Sequence, residues 1–370
     1  MLDQGARLRE RLVSTTRDLM LIPSSAERPE EIERCAEYIV NHLEVLEGIT
    51  IERIVDHGHI SILALPRGVQ HPRLLLNGHL DVVVHSDKLA YHSTIRDGRI
   101  HGPGAGDMKG QLAILLALFQ DFHRAHTGVS LGLAITSDEE IGGRHGVGHL
   151  FGARGFRCGG AIVPDGGSLN EVTVEEKGVL YLRLRAAADS AHAARPWLTA
   201  NALARIVTVL ERIRLHAHAW AHDHDFWYPT CTVTVLQCDN RTPNRIPESA
   251  EALVDIRFPP PWTLAIMRET MLGLVGDGVE ATFVGGAEAT HLAPDPGYLR
   301  AIEEITGSPA RLARVDGASD ARYLQPHGIP VMMSRPLVGN LHAPDEWISI
   351  ASMETFYQYC GHYIGQTLLP

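Results

Sequence analysis

The sequence predicts an α/β protein with a second, smaller α+β domain set into it, and three observations carry that expectation. At 370 residues the chain exceeds the roughly 250–300 residues at which a single core stops growing. Short apolar, β-like runs alternate with helical periodicity through the first half, the pattern of a layered α/β sheet. Near residue 172 the pattern changes to period-two alternation, and the α/β character resumes near residue 290. The expected segments are therefore 1–173, 174–288 and 289–370, with the first and last forming one domain.

In chain order, MLDQGARLRERLVSTTRDLM reads as a charged amphipathic helix, and residues 30–47 form a second helix that stops before Gly48. β-like runs follow at 50–55, 60–65 and 73–77. Segment 109–126 is a largely apolar helix, buried on most sides. The continuous apolar runs 130–136 and 159–164 suit strands covered on both faces. In VTVEEKGVLYLRLRAAA, from residue 172, alternation divides Leu180, Leu182 and Leu184 from Val179 and Tyr181. A helix at 199–215, strands at 230–237 and 250–257, a helix at 263–275 and a strand at 279–284 complete a β-α-β-β-α-β order. Helices at 296–305 and 318–326, a strand at 329–333 and a helix at 348–367 close the chain.

Hydrophobic content of 45% and charged content of 21% are ordinary for a globular protein. A formal net charge of −11 lacks the basic footprint that a nucleic-acid partner requires. Five cysteines with no C-x-x-C pair read as reduced thiols. The N-terminus has no apolar h-region, and no run of 18 or more apolar residues occurs, as a membrane span would need. A cytoplasmic location is expected.

Five short turns carry the chemistry: NGHLDVV, GAGDMKG, SDEEIGG, VPDGG and NLHAPDEW. They supply His79, Asp107, Glu140, Asp165 and His342, two imidazoles and three carboxylates. Four of the five follow apolar runs closely, and beyond the carboxyl ends of strands such loops converge. Taken singly, each residue is explained as well by a turn acid, a helix cap or a satisfied histidine. Together they suit two divalent ions sharing one carboxylate, because three carboxylates and a hydroxide balance two dications. Glu139, beside a ligand, is left as the general base toward a metal-activated water. Asp81, two residues after His79, is placed to hold that imidazole by its other nitrogen. Zinc is the expected metal, with cobalt or manganese also suited to mixed nitrogen and oxygen ligands.

These motifs resemble the two-zinc amidohydrolases and exopeptidases that include aminoacylase, acetylornithine deacetylase, succinyl-diaminopimelate desuccinylase and bacterial dipeptidases. The resemblance spans nearly the whole chain. It implies a three-layer zinc-exopeptidase-like catalytic domain with an inserted ferredoxin-like lid and dimerisation domain. It makes Asp107 the bridging ligand, pairs His79 with Asp165 and Glu140 with His342, and gives Glu139 and Asp81 the roles above. An aspartate at position 165, where the family often has glutamate, is closer to the aminopeptidase, dipeptidase and some deacylase branches.

The resemblance extends to SAHAARPW, whose His192 would reach the partner subunit's active site in a homodimer and steady the oxyanion; by itself the segment is a capped turn. It also makes Asn244 and Arg257 candidate substrate contacts, with Arg322 and Asp320 in the same class; a surface salt bridge explains Arg257 equally well. Lys177 is expected on the solvated surface. The tract with His216, His218, His222 and His224 mixes spacings that no single helical face gathers, and is expected as a helix end and exposed loop. The implied activity is hydrolysis of an amide bond in a small carboxylate-bearing substrate, an N-acyl amino acid or a dipeptide. Aminopeptidase action on unblocked peptides and a non-catalytic metal-binding protein are the alternatives. Sequence does not name the acyl group or the amino acid.

Overall fold

The computed structural model describes residues 2–85, 91–221 and 226–370. The chain divides into two compact units. One comprises Met1–Val174, His291–Val315 and Ser319–Pro370, the other Glu175–Thr290 with Asp316–Ala318.

The first unit is built on a six-stranded mixed sheet. Its strands run in the order Ile49–Asp56, His59–Pro66, Leu131–Thr136, Leu74–His79, Ala161–Ile162 and Val331–Met332. The last four are mutually parallel and the first two are antiparallel to their neighbours. Leu74–His79 and Leu131–Thr136 are buried at every residue, which is why their sequences are continuous apolar runs. Successive side chains point to opposite faces. Leu74, Leu76, Leu133 and Ile135 join a core with helices Leu2–Met20, Pro29–Glu44, Gly110–Ala125 and Ile350–Leu368. Leu75, Ala134 and Ala161 join a second core with Val147, Phe151 and Leu324.

A smaller four-stranded sheet, in the order Val338–Gly339, Trp347–Ser349, Arg99–His101 and Thr94–Arg96, lies in the same unit. Its pairing of Trp347 with His101 sets the loop 340–346 beside the loop 102–109. No periodicity announced these short strands.

The second unit is a four-stranded antiparallel sheet, in the order Thr230–Cys238, Ser249–Phe258, Gly178–Ala187 and Glu280–Ala287. Helices Ala202–His218 and Leu264–Leu274 bury Ile206, Val209, Ile213, Met267 and Met271 against Leu180, Leu182 and Leu184.

Three expectations change. The alternating run from residue 172 divides at Lys177 into Glu171–Glu176 and Gly178–Ala187, which belong to different sheets. Lys177 is buried instead of solvated: Nζ donates to Phe226 O at 2.8 Å and Tyr228 O at 3.1 Å and pairs with Asp316 at 2.7 Å. Segment 318–326 is not one helix but two short 3-10 turns, Asp320–Tyr323 and Gln325–His327; Pro326 lacks the N–H that would continue the first. His216 and His218 end a helix, whereas His222 and His224 lie outside the described residues. All five cysteines are free thiols.

Leu133, with no exposed surface on a central strand, makes a direct test of this packing. Leu133→Ala should lower the unfolding free energy by about 2–5 kcal/mol, measured by urea denaturation; a loss within error would contradict the assigned core.

Candidate metal centre

Three parallel strands end at one edge of the first unit's sheet. His79 is the last residue of its strand, Glu139 and Glu140 follow Thr136, and Asp165 follows Ile162 by three residues. This is where an open α/β sheet collects ligands. His79, Glu139 and Asp165 form one group whose ligand atoms all lie within 4.8 Å of one another; Asp107, Glu140 and His342 form another. Asp107 links the two. Its Oδ1 is 3.3 Å from His79 Nε2 and its Oδ2 is 3.3 Å from His342 Nε2. His342 Nε2 lies 3.4 Å from Glu140 Oε2.

The local backbone explains how each side chain gets there. His79 Nδ1 faces Asp81, 3.0 Å from its carbonyl oxygen and 3.4 Å from its carboxylate. Donation there would leave Nε2 free to offer its lone pair to a bound cation. The Asp81 carboxylate also accepts from the backbone N–H of Glu139 at 3.3 Å and Glu140 at 3.0 Å, so it fixes two segments where the sequence suggested one. His342 has φ of +63° and Asn340 +54°. Left-handed conformations at residues other than glycine cost about 1–3 kcal/mol each and persist where the surroundings enforce them.

Sequence reasoning missed that enforcement. Glu346, 1% exposed, accepts on one oxygen from the N–H of Gly106 at 2.6 Å and Asp107 at 2.8 Å, and on the other from His342 N–H at 3.2 Å. One carboxylate thereby clamps the two loops that present Asp107 and His342. Gly106 is required at this crossing, since a Cβ there would stand 2.8 Å from Val338. Lys109 was missed too. Buried after Asp107, it donates to Leu19 O and Ser24 Oγ at 2.9 and 2.7 Å. The only available signal was a charged residue opening an apolar helix.

Charge dominates the site. Burial, then Asp165, pushes the Glu139 carboxyl well above its ordinary range, and burial with Asp107 lifts Glu140 to about 8. Burial works against ionisation of Asp107, yet hydrogen bonds from His342 and His79 hold it well below the usual carboxylate range. The same bond to Asp107 raises His342 to about 9. For His79 burial favours the neutral ring, but Asp107 and Asp81 keep its pKa well above the ordinary value. Glu140 Oε1 is buried with no hydrogen-bond partner among the described residues, an orphan that a cation would satisfy. Clustered carboxylates, two imidazoles and this orphan fit divalent metal ions.

The chain fits the model of Peptidase family M20/M25/M40 over residues 75–366. It belongs to that family. It is 30% identical over 356 residues to a succinyl-diaminopimelate desuccinylase from Azoarcus, covering 90% of this chain and 92% of the relative. The fold matches the M20 family metallo-carboxypeptidase Sso-CP2 of Sulfolobus solfataricus with a TM-score of 0.78 and 17% identity, covering 97% of this chain and all of that one. It also matches the dipeptidase Dug1p of Saccharomyces cerevisiae with a TM-score of 0.79 and 13% identity, covering 100% and 98%. As an M20 member the chain is an enzyme acting on amide bonds; M20 enzymes are metal-dependent, and the two residue groups are candidates to hold a metal ion. No helix among the described residues is long and apolar enough to cross a membrane.

Of the remaining predicted residues, Arg322 and Asp320 lie beside the centre, where they act on the Glu139 and His79 charges, and the others lie in the second unit. Arg322 Nη2 donates to Gly142 O at 2.7 Å, as does the Tyr323 hydroxyl at 2.6 Å, and nearby Asp320 is raised to about 8 by burial. Arg257 pairs with Asp255 at 2.7 and 2.9 Å within the second unit. There Ala193 N–H donates to Asn244 O and Ile246 N–H to Ala191 O, both at 2.8 Å, so the His192 and Asn244 motifs run side by side. Arg335, 4.0 Å from Asp165, was not anticipated; its Nε has no hydrogen-bond partner among the described residues.

Glu346 touches no ligand atom directly, so Glu346→Gln tests the clamp. The amide cannot accept on its nitrogen side, and zinc affinity by competitive chelation should fall about 10–100-fold with the fold retained; unchanged affinity would remove the clamp from the account.

Proposed function

We propose that this enzyme hydrolyses an amide bond in a small carboxylate-bearing substrate, an N-acyl amino acid or a dipeptide, at a two-metal centre. The observation that carries the reading is Asp107, with one oxygen turned to His79 and the other to His342. His79 and Asp165 would hold one ion, Glu140 and His342 the second, with Asp107 shared. Zinc is the metal this donor set favours. Two such ions would polarise the substrate carbonyl and acidify water.

The chain's own residues do the rest. Glu139, its carboxyl pushed up by burial and Asp165, is suited to take a proton from the attacking water and return it to the leaving nitrogen. Asp81 keeps both His79 and the Glu139 backbone in register. Arg335, beside Asp165, supplies a planar cation for the substrate carboxylate, with Asn244, Arg257 and Arg322 as further candidates. His192 accepts from Ala194 N–H on Nδ1 at 3.1 Å. That bond leaves the neutral ring's proton on Nε2, the tautomer that can donate to an oxyanion. In this reading the second unit is a lid and dimerisation domain, and His192 acts on the partner's centre in a cytoplasmic homodimer.

Glu139→Gln should keep the metal content and lose at least about 10²-fold in turnover; near-normal turnover would take the base role from Glu139. His192→Ala should cost on the order of 10²–10³ in turnover, and mixing the two inactive variants should restore part of it through hybrid dimers. Chelation should abolish activity, and zinc should return it. A panel of N-succinyl and N-acetyl amino acids against unblocked dipeptides, with products identified by mass, separates deacylase from peptidase action.

A further inference from the structure

A second histidine cluster, not used above, lies on the first unit. Strands Ile49–Asp56 and His59–Pro66 are joined by a two-residue turn, with Asp56 paired to His59 across it. Both central residues are left-handed, His57 at φ of +48° and Gly58 at +86°. Such turns favour asparagine or aspartate before glycine; here the position carries an imidazole. The turn meets the segment that follows Glu139 and Glu140, which brings His145 and His149 to the same place.

Asp56 is the hub. One oxygen lies 2.7 Å from His145 Nδ1 and 3.5 Å from His149 Nδ1, and the other lies 3.1 Å from His57 Nδ1. The rings of His57 and His145 are 4.6 Å apart, and His59 stacks on His145 at 5.3 Å. The ligand atoms of Asp56, His57 and His145 all lie within 4.8 Å of one another. One carboxylate neutralises only one imidazolium, so four rings this close repel if all are charged. Neutral imidazoles instead present lone pairs, and two of them with a carboxylate supply three ligands of the kind a borderline divalent ion prefers, its fourth position open to water.

We infer that Asp56, His57 and His145, with His149 beside them, form a further site for a zinc-like divalent transition-metal ion, separate from the candidate catalytic residues. Its occupation cross-links the hairpin turn to the segment carrying His145. That segment is already tied back to Asp138, whose carboxylate accepts from the N–H of His145 at 2.8 Å and Gly146 at 3.1 Å. A hard, oxygen-seeking ion such as magnesium is a poor match for these ligands.

The test is equilibrium dialysis of the untagged full chain against zinc, with metal and protein quantified, for the wild type and a His57→Asn/His145→Gln variant. The wild type should hold one more zinc per chain than the variant, and both should hydrolyse the same substrates at the same rate. Because the readout is a difference between two proteins, it stands whatever the stoichiometry of the catalytic residues. Equal zinc content in the two proteins overturns the inference, as does an extra equivalent displaced as readily by magnesium as by cobalt. His57→Asn alone, at a left-handed position that asparagine accepts, guards against misfolding. It should leave the melting temperature of the metal-stripped chain unchanged and reduce the zinc-induced rise; an undiminished rise counts against the site.

Discussion

Everything at the strand ends depends on packing negative charge into a place where water cannot dilute it. Asp81, Asp107, Asp138, Glu139, Glu140, Asp165 and Asp320 crowd one cleft, opposed by two imidazoles and the Arg322 and Arg335 guanidiniums. Buried like charges raise one another's pKa, and Glu139, Glu140 and Asp320 are all pushed upward. Asp107 escapes only because an imidazole sits at each of its oxygens. The arrangement is poorly compensated by protein alone, and the same imbalance that burdens the fold prepares the cleft for cations.

The backbone absorbs the cost through a few well-placed acceptors. Asp81 takes two amides of the Glu139–Glu140 turn, Asp138 takes two of the following segment, and Glu346 takes three from two loops. Asp107, Glu139 and Glu140 are thus each set on a peptide held by another carboxylate, whereas the Asp165 N–H bonds to Val163 O. Placement does not rest on rotamers alone, and the left-handed turn at His342 has the support it needs.

Much of this was legible in the sequence. The residues of the two ligand groups could be named because most of them end an apolar run, and a strand covered on both faces announces its own terminus. The division of the core between two faces follows from alternation in LLLNGH and LGLAIT. What stayed hidden acts through backbone atoms or through distant pairing. Glu346 bonds to peptides 239 and 240 residues away, which leaves no local trace. Lys177 looked solvated because its partners are carbonyls contributed by Phe226 and Tyr228. Strands of two or three residues, such as Val338–Gly339 and Trp347–Ser349, are too short to show a period, yet they bring His342 to Asp107.

The two ligand groups also differ in how far the polypeptide must travel to close them. His79, Glu139 and Asp165 are drawn from consecutive crossings of one sheet, whereas Asp107 and Glu140 wait for His342, which follows the whole interposed unit. Long-range closure is the slower event. A nascent chain leaving the ribosome can therefore assemble the first group early, while the second stays open until translation has passed the later turn.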